Sequence, residues 1–200
     1  SLTTATQDVY LAEVDLAAGK VLRPPAPVAG RFVGSNSAPS WSPDGRFLAY
    51  YRRGDQVTKP TLVILSVATG EERDVLIKLD QYLAPVLWFP DGKSVLVSAW
   101  DSPKRDRVAF YRADLQTADH RLIRTAPGRA VRSALSPDGK THFVWAEVDQ
   151  ERGLGIISRD IETGQEREIA RVPFLGGYGF TRLSASPDGG YLAFRRPVDE

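Results

Sequence analysis

Four aspartates, Asp44, Asp91, Asp138 and Asp188, stand in the same local phrase, Pro-Asp-Gly. As a repeated carboxylate set they invite a reading as metal ligands. The phrase itself argues for a structural duty. Proline pre-sets φ for the second position of a tight turn, aspartate hydrogen-bonds its own backbone at the third, and glycine takes the left-handed conformation that follows. Neither this phrase nor any Asp-x-Asp run supplies the alternating carboxylates of a calcium loop. The two histidines, His120 and His142, have no partner at ligand spacing. His120 follows Asp119 in a turn and His142 lies beside Phe143 in a strand-like run, so surface and packing roles are expected for them. No Gly-x-Ser-x-Gly elbow presents a serine nucleophile. Zero cysteines remove disulfides, thiol catalysis and thiolate-bound metal. The expectation is a non-enzymatic chain without cofactor or metal.

The remaining chemistry is that of binding. Arg132 and Arg182 each stand five residues before a turn proline, where the other two copies carry Ala38 and Pro85. Guanidinium groups hold carboxylates by paired hydrogen bonds, so an anion or an acidic peptide would suit the pair; a salt bridge to a neighbouring repeat is the alternative. Trp100 and Trp145 end apolar runs beside charged segments and are expected as an exposed pair. Trp41 and Trp88 share one position in two repeats and are expected to pack between sheets.

These residues need elements to position them, and the turns define those elements. Prolines 43, 90, 137 and 187 recur at intervals of 47, 47 and 50 residues, with apolar runs on both sides of every turn. A second phrase recurs between them: Thr69-Gly70, Thr117-Ala118 and Thr163-Gly164. Ala118 replaces glycine in its copy, which predicts that Asp119 supplies the left-handed residue there. Each unit thus holds four short antiparallel strands, A to D, without a helical stretch. That pattern predicts an all-β chain folded as a β-propeller of four-stranded blades.

Full blades are expected at about 37–79, 84–125 and 130–170. Residues 1–30 carry only strands C and D, and 178–196 only A and B. Either the ends pair to close a fourth blade, or the chain is a segment of a larger propeller. The absence of methionine favours the segment, read as processed or excised.

Repeats spelled Trp41-Ser42-Pro43-Asp44-Gly45-Arg46-Phe47-Leu48-Ala49-Tyr50, followed by Leu62-Val63-Ile64-Leu65-Ser66-Val67-Ala68-Thr69-Gly70-Glu71, resemble the WD40-like repeat called PD40. That repeat is found in TolB-like propellers and in the propeller domains of prolyl-oligopeptidase-type peptidases. The resemblance covers nearly the whole chain. It implies a six- to eight-bladed propeller, often bacterial and in the periplasm or cell envelope, and frequently fused to another domain. The departures are Phe89 for serine in the second turn, and Leu135 and Ala185 where Trp41 and Trp88 stand in the first two blades.

In a propeller, strand A lines the central channel, which would put Arg132 and Arg182 at its mouth. The B–C loops gather the charge: Arg52, Arg53, Asp55 and Lys59, then Asp101, Lys104, Arg105, Asp106 and Arg107, then Glu147, Asp149, Glu151 and Arg152. The D–A segment 172–180 brings Phe174 and Tyr178 among glycines to the same face. Loops on a rigid scaffold are where binding residues concentrate, so this face is the expected site for a protein or peptide partner. The balance of 26 basic against 25 acidic residues gives no field for nucleic acid. No apolar run approaches the roughly 20 residues that span a bilayer, so no membrane insertion is expected. Unpaired strands at the two ends predict an edge-to-edge homodimer. The leading expectation is a non-catalytic binding or sensory module, and the alternative is the gating propeller of a prolyl-oligopeptidase-like serine peptidase.

Overall fold

Each Pro-Asp-Gly phrase closes a hairpin by the same backbone bond. The amide of Gly45 donates to the Ser42 carbonyl at 2.9 Å, and Gly92, Gly139 and Gly189 repeat the bond to Phe89, Ser136 and Ser186. All four glycines lie at φ between 62° and 73°, where a Cβ is strained. The aspartate ties the turn together. Asp44 accepts from the Ser42 hydroxyl and the Arg46 amide, and Asp138 and Asp188 do the same with their own serines and following amides. In the second turn Phe89 has displaced that serine. Asp91 there accepts from the hydroxyl of Ser94, on the far side of the turn, and from the amides of Lys93 and Ser94. The structural duty expected of the four aspartates is thereby met with two different wirings.

A computed structural model describes residues 7–28, 36–52, 60–79, 82–127, 132–149, 153–173 and 183–194. Among the described residues every regular element is a strand. The first four-stranded sheet is β3 (Asn36–Trp41), β4 (Phe47–Arg52), β5 (Thr61–Ser66) and β6 (Glu72–Val75), antiparallel in chain order. The second is β7 (Tyr82–Trp88), β8 (Ser94–Trp100), β9 (Arg107–Asp114) and β10 (His120–Pro127). The third is β11 (Ser133–Leu135), β12 (Thr141–Asp149), β13 (Gly153–Asp160) and β14 (Glu166–Pro173). Two-stranded sheets flank them: β1 (Tyr10–Asp15) with β2 (Lys20–Pro27), and β15 (Leu183–Ala185) with β16 (Leu192–Phe194). First strands lie side by side, β3 against β7 and β11 against β15, as in blades set around an axis. The molecule is a partial β-propeller, and among the described residues its two end sheets are separate from one another.

The core lies between blades. Strand β4 sends Leu48 and Tyr50 to one side, where they meet Val9 and Val28, and Ala49 and Tyr51 to the other, where they meet Val86, Val95 and Val97. Both faces being covered, β4 and β8 read as continuous apolar runs rather than as alternating ones. The second seam packs Phe89, Leu96, Val108 and Phe110 against Val144, and the next packs Ala134, Trp145 and Ile156 against Leu183.

Polar groups pin the seams. The Trp88 indole donates to the Ser40 carbonyl at 3.0 Å, and Arg73 donates to the Leu115 carbonyl at 2.6 Å. Trp88 therefore packs between sheets as expected, whereas its counterpart Trp41 stays 49% exposed. Turns of adjacent blades also touch. A Cβ on Gly139 would fall 2.6 Å from the Pro90 ring, so glycine is required there by close approach as well as by φ.

One turn corrects the sequence reading. Ala118 itself takes the left-handed conformation, at φ 62°, and Asp119 does not. Its amide closes the turn onto the Asp114 carbonyl, while the Asp114 carboxylate accepts from the amides of Gln116 and Thr117.

Candidate interaction surface

The loop between β8 and β9 is built to hold a fixed shape. The Asp101 amide donates to the Arg107 carbonyl, the Arg105 amide closes a turn onto the Ser102 carbonyl, and the Ser102 hydroxyl donates to Asp106 at 2.7 Å. That hydroxyl, ahead of the nearby positive charge of Lys104 and Arg107, holds the Asp106 carboxyl below its ordinary range. Arg107 anchors the base of the loop through Asp101 at 3.3 Å and through the Thr125 hydroxyl. Arg105 occupies φ 54°, a strained setting for a long side chain that the surrounding bonds maintain. The outcome is a stapled loop that leaves Lys104 and Arg105 exposed.

The other expected contact residues separate into three groups. Arg52 is turned inward. It crosses β5 to reach Asp74 at 2.5 Å and Glu72 at 3.2 Å on β6, and its side chain is almost wholly buried. Its charge is met inside the blade, which corrects the expectation of a partner-facing group. Trp145 is likewise corrected. It is 4% exposed and lies edge-on to Phe194 at 5.2 Å, because the β15–β16 sheet covers the side of β12 from which it projects. Trp100 is half-buried against the second seam, so the two indoles do not form an exposed pair.

Arg132 is half-buried directly before β11, where its carbonyl accepts the Trp145 amide at 3.2 Å. Arg182, Phe174 and Tyr178 lie outside the described residues. Ala38, the register mate of Arg132, sits at φ 55° where the β3–β4 pairing shifts between Ser37 and Ser40.

On the opposite end, a crevice of about 180 Å³ opens between the turns of the second and third blades, lined by Asp91, Arg112, Lys140 and Glu162 among others. Arg112 stacks over the Phe89 ring at 4.3 Å and pairs with Asp91 at 2.6 Å, so its charge is already engaged. Among the described residues no three His, Asp or Glu side chains gather as a metal site.

The group that the sequence reading undervalued is His142. A packing role was expected and is found, but the ring is fully buried, tilted against Phe110 at 4.7 Å and flanked by arginines. The signal available beforehand was only its place in a strand whose two faces are both covered.

No protein-family model matches the chain. Over 62 residues, 30% of its length, the chain is 44% identical to the "Uncharacterized peptidase YuxL" of Bacillus subtilis (strain 168), of which this stretch is 9%. Among solved structures, TolB from Acinetobacter baumannii superposes with a TM-score of 0.73 at 22% identity over 98% of the chain. A putative TolB from Agrobacterium tumefaciens gives 0.60 at 26% identity over 80% of it. The acylaminoacyl peptidase of Pyrococcus horikoshii gives 0.56 at 16% identity over 82%, matching 30% of that chain. The chain spans 45% and 53% of the two TolB chains. The TolB-like propeller resemblance drawn from the repeats therefore stands at the level of the fold.

Proposed function

We propose that the chain is a non-catalytic propeller module of TolB-like type that engages a protein or peptide through the end of the blades carrying the β8–β9 loop. The observation that carries this reading is the stapled segment 101–106, which presents Lys104 and Arg105 on a pre-ordered scaffold. Pre-ordering lowers the entropy cost of docking, and exposed cations at a rim favour an acidic segment and speed its approach. Arg132 belongs to the same reading as a second contact nearer the axis.

Fluorescence anisotropy with acidic, neutral and basic peptides of equal length tests it. Acidic peptides should bind in a salt-sensitive way, and Lys104→Glu with Arg105→Glu should weaken them about tenfold without altering the melting temperature. Equal binding of all three peptide classes would remove the proposal.

A second reading is favoured by the 62-residue match to a peptidase and by the superposition on an acylaminoacyl peptidase. In it the module gates access to a hydrolase domain on the same gene product. Hydrolysis of blocked acylaminoacyl substrates by that product, abolished by a serine-directed inhibitor, would select this reading over the first.

A further inference from the structure

The seam between the second and third blades contains an imbalance that packing does not explain. Across the third blade His142 on β12 stands opposite Arg159 on β13, which stands opposite Glu166 on β14. Facing this row from the second blade are Phe110 and Arg124, which are neighbours in the β9–β10 pairing. The Arg124 side chain is only 5% exposed and His142 is fully buried. Two guanidinium groups thus share one carboxylate: Glu166 takes Arg159 at 2.9 Å and Arg124 at 3.4 Å. Among the described residues the Nε and Nη1 of Arg124, the Nε of Arg159 and both ring nitrogens of His142 have no hydrogen-bond partner.

Counting donors decides what is missing. Guanidinium nitrogens only donate, and a neutral imidazole adds one donor and one acceptor, so this pocket of polarity has many donors and almost no acceptors. Buried donors without partners are costly, and a buried charge without a counter-charge more so. Water can accept from some of these donors but leaves the excess positive charge unmet. An anion is all acceptor. The net charge of the cluster, two guanidinium cations against one carboxylate, calls for a single negative charge. The full burial of His142 and near-full burial of the Arg124 side chain call for a small ion. Half-exposed Glu166 and partly exposed Arg159 mark the way in from the outer edge.

We propose that this seam is a binding site for a small monovalent inorganic anion, chloride being the probe of that class, held between the guanidinium groups of Arg124 and Arg159 beside the His142 ring. The ion joins the two blades in the way a salt bridge would, and its loss loosens that seam before the others.

The test compares thermal unfolding in sodium chloride and in sodium gluconate at fixed ionic strength. Raising chloride from 5 to 300 mM should lift the midpoint by about 3 °C, since a ligand of the folded state stabilises by mass action. Bromide should reproduce the shift. Arg124→Met should abolish the chloride increment. Crystals grown in bromide supply a readout independent of any variant: an anomalous peak within hydrogen-bonding distance of Arg124 Nε is expected. Identical midpoints in chloride and gluconate, a full increment retained by Arg124→Met, or bromide peaks confined to the outer surface would each overturn the site.

Discussion

Two kinds of residue tie the stability of this molecule to pH, and their windows overlap only between about 3 and 3.8. Burial, and then the positive charges of Arg124 and Arg159, push the His142 pKa down to about 3. In the unfolded chain the imidazole takes up a proton near 6.5. Between those values the unfolded state binds a proton that the folded state refuses, so stability falls as pH drops from about 6.5 toward 3. The turn carboxylates act lower. The Ser42 hydroxyl, ahead of the Arg46 amide and guanidinium, holds Asp44 at about 2 against an ordinary 3.8. That contribution is present above 3.8 and disappears as pH falls from 3.8 to 2. Replacing His142 by leucine should therefore flatten the fall of melting temperature between pH 6.5 and 4.5 while leaving the steeper loss below pH 4. A slope identical to that of the parent chain would contradict the buried neutral ring. The aspartates were legible in the sequence because each acts on its own turn. His142 was legible only as a packing residue, because Phe110 and Arg124, which meet it across the seam, come from a different blade.

At the scale of the hairpin, four turns of one spelling differ in their surroundings. Gly92, at φ 62°, has open space where a Cβ would stand, whereas Gly139, at φ 70°, has the Pro90 ring 2.6 Å away. Gly92→Ala should cost about 1 kcal/mol, the strain of a left-handed alanine. Gly139→Ala adds displacement of the preceding blade's turn and should cost about 2 kcal/mol or more. Urea denaturation of the two variants measures the difference, and equal costs would show that the turns do not press on one another. The spelling announced the hairpins and their glycines directly. It did not announce that Ser94 would replace the missing serine beside Asp91, nor that Trp145 would be covered while Trp41 stays half exposed, because those outcomes depend on which neighbouring sheet stands beside each strand.

At the scale of the whole molecule, the blades form a one-dimensional series in which each sheet is stabilised by its neighbours. Among the described residues β1 pairs only with β2 and β16 only with β15, so each has an edge without a strand partner there. The two edges are complementary in kind on the strand assignment the repeats imply, in which β15 and β16 are the first two strands of a blade and β1 and β2 the last two. Exposed Tyr10 and Val14 on β1 and Phe194 on β16 add apolar surface to these edges. An edge of this description recruits another strand unless charge or proline guards it. The chain at tens of micromolar should therefore self-associate reversibly in sedimentation velocity, by addition of β16 of one copy to β1 of the next. Val14→Lys, which puts a charge on the exposed edge of β1, should shift the distribution toward monomer with little change in melting temperature. Slow amide exchange along β1 and β16 in a strictly monomeric sample would mean that these edges are already satisfied within one chain, and edge-to-edge association would then be excluded.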